Sequence, residues 1–542
     1  MISHDDIDGT IQANLAHFRK RGALTVRPGY KIKNDWITPR AAIVVTVKKK
    51  KARVAADDLI PAKIGKYATD VREATVWQNL RHNNLQQYGN LMASHRSEYA
   101  QPEFPYERNA QTGQLLQAAK PQPALAAHQA KPMVPYTPPA GATLAPVTDK
   151  MSITFCASPD AGWLELSKFL QGIGAKLTVG MYDFTSAHVL AAVQAALAGK
   201  QDLSLVLDHP PKNPSADQTD EQTKADLAKE LGARLEFAWA VEAKDPMVSK
   251  AIFPNAYHIK VAVKDGKIFW LSSGNWNNSN QPDINPFADQ ADKSKINPIA
   301  KKSDRDWHAI VSHAGLAATF EAYLQNDLKV ATELQAVKSG LKLMAALPKE
   351  IQAVSPEKPI RGEIASRRYF KPFQIVDEKV TVQPVLTPDA GAGNYVQNFK
   401  KLISSAKKKL YIQTQYIHPS NPSQYPGLQA LIDAVKDRIA AGVDVRIILS
   451  QYEATGGWLE KLQAAGIDAA KLVRIQKGVH NKGFVVDGEV IALGSENWSG
   501  DGVERNRDAS LIIYHAGAAN YFEEIFLHDW TTLAKQKLST GA

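Results

Sequence analysis

Short apolar runs alternate with stretches of helical periodicity from about residue 151 to the end of the chain. Residues 177–182, 203–207 and 235–239 form one set of such runs, and 410–417, 443–449 and 472–475 form a second. Strands alternating with helices predict layered α/β units whose sheets are largely buried. Residues 318–346 carry a helical pattern, and a looser Pro-containing stretch follows, bridging the two sets. Nearer the N-terminus, the apolar run 41–47 predicts a strand, and Lys48, Lys49, Lys50 and Lys51 give it a basic exit of the kind that keeps an edge strand from pairing. Between these regions, 111–147 is crowded with Pro, Ala and Gln. Such a composition cannot bury enough apolar surface for a core and predicts an extended spacer or wrapping arm.

The two sets of strands belong to an internal repeat. An apolar run starting at Ile153 closes on Ser158-Pro159-Asp160-Ala161-Gly162, and another, 380–386, closes on Thr387-Pro388-Asp389-Ala390-Gly391. The offset between the two prolines is 388 − 159 = 229 residues. Further on, His258, Lys260 and Asp265 recur as His480, Lys482 and Asp487, an offset of 480 − 258 = 222. Similar offsets at both ends mean that a whole half was duplicated. The expected division is a small accessory α/β module of unknown role (1–110), a Pro/Ala/Gln-rich linker (111–150), a first half (151–345), a connector (346–375) and a second half (376–542).

Composition adds little to the fold and something to the partners. With 44% hydrophobic and 22% charged residues the chain reads as an ordinary globular protein, long enough at 542 residues for two or three domains. A net charge of +10 favours anionic partners such as phospholipid headgroups, nucleic acid or other phosphate esters, and equally serves solubility. Cys156 is the only cysteine, which excludes an intrachain disulfide framework and a cysteine metal cluster. No stretch approaches the roughly 18 apolar residues of a membrane span. The first residues lack the basic and apolar regions of a signal peptide, so the expected location is cytoplasmic, or exported without a cleaved signal.

Both triplets read His-x-Lys-x-x-x-x-Asp, and their tails match as well: Ser272-Ser273-Gly274-Asn275-Trp276 against Gly494-Ser495-Glu496-Asn497-Trp498. Side chains alternate along a strand, so His258, Lys260 and Ala262 are expected on one face and Ile259, Val261 and Val263 on the other. The same pattern sets His480, Lys482 and Phe484 against Asn481, Gly483 and Val485. An imidazole beside an ammonium suits a phosphate diester: the Lys neutralises a non-bridging oxygen while the His attacks phosphorus or protonates a leaving oxygen. Asp265-Gly266 and Asp487-Gly488 predict turns into second strands, 267–271 and 489–493, which return Asn275 and Asn497 towards the His as donors to phosphate. A single His on a half-buried strand is more often a satisfied core residue; the second copy with its equal tail removes that explanation. Trp276 and Trp498 read as packing residues.

The paired motifs resemble the phospholipase D superfamily over about two-thirds of the chain, from residue 151 onward. The resemblance implies two α/β/α sandwich halves packed face to face as a pseudo-twofold unit, with both motifs at one central site. It implies a covalent phosphohistidine, no metal and no cofactor, with His258 as nucleophile and His480 as the general acid that later activates water. Lys260, Lys482, Asn275 and Asn497 would hold the phosphate, and Asp265 and Asp487 would orient the site as part of the catalytic motif. Ser273 and Ser495 would support it. A later acidic residue would hold the His, for which the second half offers Glu504 and Asp508 and the first half Asp306. The halves differ after Asn-Trp: Asn275 to Arg305 spans 30 residues, Asn497 to Arg507 only 10. The polar insertion 277–302 is expected beside the site, as a wall of the substrate entrance or as a surface loop. In the N-terminal region, Arg27-Pro28-Gly29-Tyr30, residues 41–45, Ile60-Pro61 and Asp70-Val71-Arg72-Glu73 resemble a small module that precedes some bacterial trypsin-like peptidase domains. No nucleophilic serine motif of that family follows.

The expected reaction is cleavage or transfer at a phosphodiester. Phospholipid is the favoured substrate, since both half-sites lie in one chain, which makes a monomer plausible. A nuclease is the alternative, on the strength of the positive charge and of basic runs such as 48–51 and 407–409, although no nucleic-acid-reading module accompanies them. A degenerate member that only binds phosphoesters is a third reading, against which two intact triplets stand.

Overall fold

In the computed structural model, residues 4–33, 36–50, 55, 58–88, 102–116, 137–208, 216–240, 252–253, 256–336, 367–388, 394–451 and 457–534 are described. Residues 117–136 of the expected linker, 337–346 of the expected helix, 346–366 of the connector, Lys51 and Asp389 to Gly391 lie outside them.

An N-terminal sheet has strands β1 (Ala23–Lys33), β2 (Trp36–Val47), β3 (Lys63–Ile64), β4 (Tyr67–Glu73) and β5 (Arg108–Asn109), ordered β3-β4-β2-β1-β5. The basic exit follows β2, which lies inside this sheet between β4 and β1. That corrects the edge-strand expectation: β4 pairs parallel with β2 over Ala42 to Val47 and covers it.

The first half supplies β6 (Val147–Ser158), β7 (Lys176–Met181), β8 (Asp202–Leu207), β9 (Leu235–Trp239), β10 (Lys260–Lys264), β11 (Ile268–Ser272) and β12 (Asp306–Ser312). The second supplies β13 (Phe373–Thr387), β14 (Lys409–Thr414), β15 (Asp444–Ser450), β16 (Val473–Gln476), β17 (Lys482–Val486), β18 (Val490–Gly494) and β19 (Asp508–Tyr514). The two orders are the same, β6-β12-β11-β10-β7-β8-β9 and β13-β19-β18-β17-β14-β15-β16. The first strands, β6 and β13, pair antiparallel with each other, so the halves share one 14-stranded sheet. Both therefore start earlier than the sequence suggests, at Val147 and Phe373, because each needs length to reach its counterpart (Val147 opposite Val382, Phe373 opposite Phe155).

The expected alternation is visible in the packing. Val261 and Val263 of β10 and Val485 of β17 enter a core shared by both halves, with Phe155, Trp307, Leu511 and Phe522. Ala262 packs on the opposite side with Trp270 and Trp276, and Phe484 with Trp498. Sheets buried on both faces explain the near-continuous apolar runs. At the described end of the Pro/Ala/Gln-rich segment, Thr137 O accepts from Asn326 Nδ2 (2.8 Å) in the first half and Leu144 O from Gln383 Nε2 (2.5 Å) in the second. The 277–302 insertion carries a helix, Lys293–Lys302, and a small core of Ile284, Ile296 and Ala300.

Candidate active site

Neither motif His lies within its strand; β10 and β17 begin at Lys260 and Lys482. The reason is a cross-connection between halves. His258 N donates to Arg507 O (2.8 Å) and Arg507 N to Ala256 O (3.0 Å), while His480 N donates to Arg305 O (3.1 Å) and Arg305 N to Gly478 O (2.5 Å). Each His segment is thus bridged to the Arg-Asp segment of the other half instead of a neighbouring strand.

The side chains repeat this exchange. His258 Nδ1 meets Asp508 Oδ1 at 2.8 Å and His480 Nδ1 meets Asp306 Oδ1 at 2.9 Å. Ser495 Oγ donates to Asp508 Oδ1 (2.6 Å) and Ser273 Oγ to Asp306 Oδ1 (2.7 Å), which places both serines behind the carboxylates. With Nδ1 bound to the carboxylate, Nε2 is the ring nitrogen left for chemistry. Lys260 Nζ donates to His258 O and Lys482 Nζ to His480 O, which folds each ammonium back beside its own His. The Tyr182 ring lies edge-on to His258 (4.8 Å between centroids) with the Lys260 ammonium over it (5.0 Å), and Gln415 Oε1 accepts from Lys482 Nζ (3.4 Å). Asn275 and Asn497 are buried, and the Oδ1 of each has no hydrogen-bond partner.

Burial pushes the His258 imidazole well below its usual range, helped by Lys260, Lys482 and His480. Burial and Lys482 bring His480 down to about 4, against Asp306. Burial would raise Asp306, but His480, His308 and Lys482 together outweigh it and hold the carboxyl at about 2. Asp508 is instead pushed up by burial to about 7, against Lys260 and Ser495. Each His feels the charge of both lysines, so all four groups face one site.

Three expected site residues stand elsewhere. Asp265 and Asp487 sit beyond the far ends of β10 and β17, five residues from their lysines or ~16 Å of strand. Both have positive φ (54° and 55°), as do Gly266 and Gly488 (62° and 72°), and each Asp-Gly pair forms a tight hairpin turn. The Asp265 carboxylate accepts from the N–H groups of Gly174, Ala175 and Lys176 (2.7–2.9 Å), and Asp487 from those of Lys407, Lys408 and Lys409 (2.7–2.9 Å). Their work is to pin the strand that enters beside the motif. Glu504 also leaves the site: its Oε1 accepts from Gly427 N (2.8 Å) and Leu428 N (3.3 Å) at the start of the helix Pro426–Ala440, where the orphan N–H groups and the helix dipole favour an anion.

Arg305 and Arg507 carry a role that the sequence reading did not give them. Fully buried Arg305 pairs with Asp160 (3.0 Å) and Asp529 (2.9 Å), and Arg507 with Asp327 (2.7 Å). Their carbonyls hold the two His segments while their side chains anchor the crossing. The signal was present, since Arg-Asp occurs directly at both 305–306 and 507–508.

A family model described as "Cardiolipin synthase, PLD-like domain" matches residues 399–530, which contain the second motif and Asp508. The chain is 29% identical over 150 residues to a cardiolipin synthase of Listeria welshimeri, and 29% identical over 161 residues to one of Clostridium perfringens. These alignments cover 26% and 28% of this chain, and span only 29% and 32% of those relatives. Among solved structures, the phosphatidylserine synthase of Haemophilus influenzae Rd KW20 is similar over 71% of this chain and 88% of its own, at 15% identity and a TM-score of 0.46. Residues 399–530 thus match a phospholipase D-like domain, and the rest of the site repeats its pattern: two His-x-Lys-x-x-x-x-Asp copies with crossed carboxylate partners, the second inside the matched region.

Proposed function

We propose that the protein is a metal-independent phosphodiesterase that works through a phosphohistidine and acts on phospholipids, by phosphatidyl transfer or by hydrolysis. The observation that carries this reading is the pair of imidazoles, each held through Nδ1 by a carboxylate of the opposite half, with Lys260 and Lys482 beside them. His258 Nε2 attacks phosphorus and the P–O bond to the leaving alcohol breaks, while His480 gives that oxygen its proton. A water or a second alcohol then passes its proton to His480 and attacks phosphorus, and the P–N bond breaks. The negative charge of a bound diester raises the pKa of His480 towards the range in which it can act as an acid. The two lysines neutralise the non-bridging oxygens, and Asn275 and Asn497 add amide donors. The names of the matched relatives favour transfer between lipids.

The test incubates the full chain with phosphatidylcholine and phosphatidylglycerol vesicles, and separately with single- and double-stranded DNA, all with EDTA. New phospholipid marks transfer, and phosphatidic acid with free headgroup marks hydrolysis. Nicked DNA in place of lipid turnover overturns the substrate class, and loss of activity on adding EDTA overturns the mechanism. His480→Ala is expected to lower turnover by about 10²–10⁴-fold, and His258→Ala by at least as much. Near-normal turnover in either variant refutes the shared site.

A further inference from the structure

The two half-sites are not equal behind their histidines. In the first half, Asn280 reaches in from the insertion and its Nδ2 donates to Asp306 Oδ2 at 2.8 Å, while its Oδ1 accepts from Asn275 N (3.0 Å). Both Asp306 oxygens are therefore partnered by donors. In the second half, Asp508 Oδ2 is buried with no hydrogen-bond partner.

A reciprocal swap accounts for this. Counting from the matched Asn-Trp pairs, Gly274 corresponds to Glu496 and Asn280 to Gly502. A Cβ on Gly274 would sit 2.8 Å from Asp306 Cγ and 3.1 Å from Asn280 Cβ. A side chain at that position therefore aims at the aspartate, into the space Asn280 occupies. Gly502 has no side chain, and a Cβ there would meet Asn497 O at 2.1 Å. Where the first half has Gly274, the second carries Glu496, which is fully buried. Its Oε2 accepts from Ser510 Oγ and from Ser495 N (3.2 Å), and its Oε1 has no partner. Ser495 thus bridges the two carboxyls, since its Oγ donates to Asp508 and its N–H to Glu496.

Two buried carboxyls, each with an unpartnered oxygen and both bound by Ser495, cannot both stay ionised at low cost. We propose that Glu496 and Asp508 share one proton behind His258, so that Glu496 is a positioning residue doing with a titratable group what Asn280 does with a neutral amide behind His480. Burial and the Asp508 charge raise Glu496 to about 8, in keeping with that arrangement. The charged and titratable groups facing the pair are Lys260, Lys482, Arg507, His258 and Tyr395, with Asp208 acting on His258. Facing Asp306 are His480, His308 and Lys482. The catalytic consequence rests on His258 being the nucleophile. While the pair holds its proton it carries a single negative charge, as Asp306 does. When that proton leaves, His258 faces a second anion, favours its imidazolium and loses nucleophilicity.

The experiment is infrared difference spectroscopy of the full chain stepped from pH 7 to pH 9, in H₂O and D₂O. A protonated-carboxyl C=O band that disappears on this step is expected in the wild type and in Asn280→Ala, and is expected to be absent in Glu496→Gln. Glu496→Gly, which copies Gly274, serves as a second variant and is expected to lose the same band. The alkaline limb of turnover is expected to move to higher pH in Glu496→Gln and to stay in place in Asn280→Ala. Persistence of the band in both Glu496 variants, or its absence from the wild type, overturns the proposal. The infrared result does not depend on turnover, so it stands or falls apart from the phosphodiesterase reading.

Discussion

A buried carboxyl takes its character from its donors, and this site holds both outcomes. Burial raises both aspartates, but His480, His308 and Lys482 hold Asp306, which also accepts from Ser273 and Asn280, at about 2, whereas burial pushes Asp508 up to about 7. The consequences for stability have opposite signs. Asp306 ionises more readily folded than unfolded, so its contribution is present above about pH 4 and is lost as pH falls towards 2. The Glu496–Asp508 pair holds one proton in the fold that the unfolded chain releases near pH 4, so stability declines as pH rises from there until the pair loses that proton, at about 8. Thermal melts at intervals between pH 5 and 8.5 are expected to fall more steeply for the wild type than for Glu496→Gln. Equal slopes would show that Glu496 does not titrate in that range. At this scale the sequence supplied His258, His480, both lysines and the candidate Asp306 and Asp508. It hid Asn280 and Glu496, because a polar loop residue and a motif-tail glutamate become partners only when an aspartate is folded against them.

Among the elements, the hairpin after each motif does two jobs with one residue. Asp265 and Asp487 adopt the left-handed turn conformation and each binds three backbone N–H groups of a neighbouring strand entry. Asp265→Asn keeps a side chain that tolerates the turn but weakens the anion's hydrogen bonds, and Asp265→Ala loses both. The expected order of stability is wild type, then Asn, then Ala, with Ala costing on the order of 1–3 kcal/mol in denaturant melts. Turnover of the folded fraction is expected to stay near the wild-type value, and a selective loss of kcat at unchanged stability would return Asp265 to the chemistry. The Asp-Gly signal was legible because a two-residue turn is local. The starts of β10 and β17 were not, since the backbone pairing of His258 and His480 is made with residues more than a hundred positions away.

Across the whole molecule, the N-terminal module is fastened to the second half by charge. Glu460 is buried between Arg27 (2.5 Å) and Arg72 (2.5 Å), Arg72 also pairs with Asp70, and Arg27 stacks under Phe104 (3.6 Å). Trp36 Nε1 donates to Ala470 O (3.1 Å), and Tyr30 and Ile37 join the second half's core. Arg27, Tyr30, Asp70 and Arg72 are the very residues of the peptidase-associated resemblance, and here they form a docking surface. Glu460→Ala takes the carboxylate from the buried Arg27 guanidinium and leaves Arg72 with Asp70 alone, at about 3–5 kcal/mol. Calorimetry is expected to resolve a separate, earlier transition for the module, with the second half melting later. A single unshifted transition would show that the apolar contacts alone hold the module in place. No helix among the described residues is long and apolar enough to cross a membrane.

The sequence by itself determined what is local or repeated: strand periodicity, the duplication, the Asp-Gly turns and the two His-x-Lys pairs. These depend on residues a few positions apart, or on a copy elsewhere that spacing alone reveals. Only the tertiary structure decided that each His is held by the other half, that Glu504 serves a helix start, and that Gly483 is small because Trp307 of the first half packs where its Cβ would be, 2.1 Å away. Those facts arise from the packing of one half on the other across a pseudo-twofold axis, and no periodicity along a chain encodes which surfaces will meet.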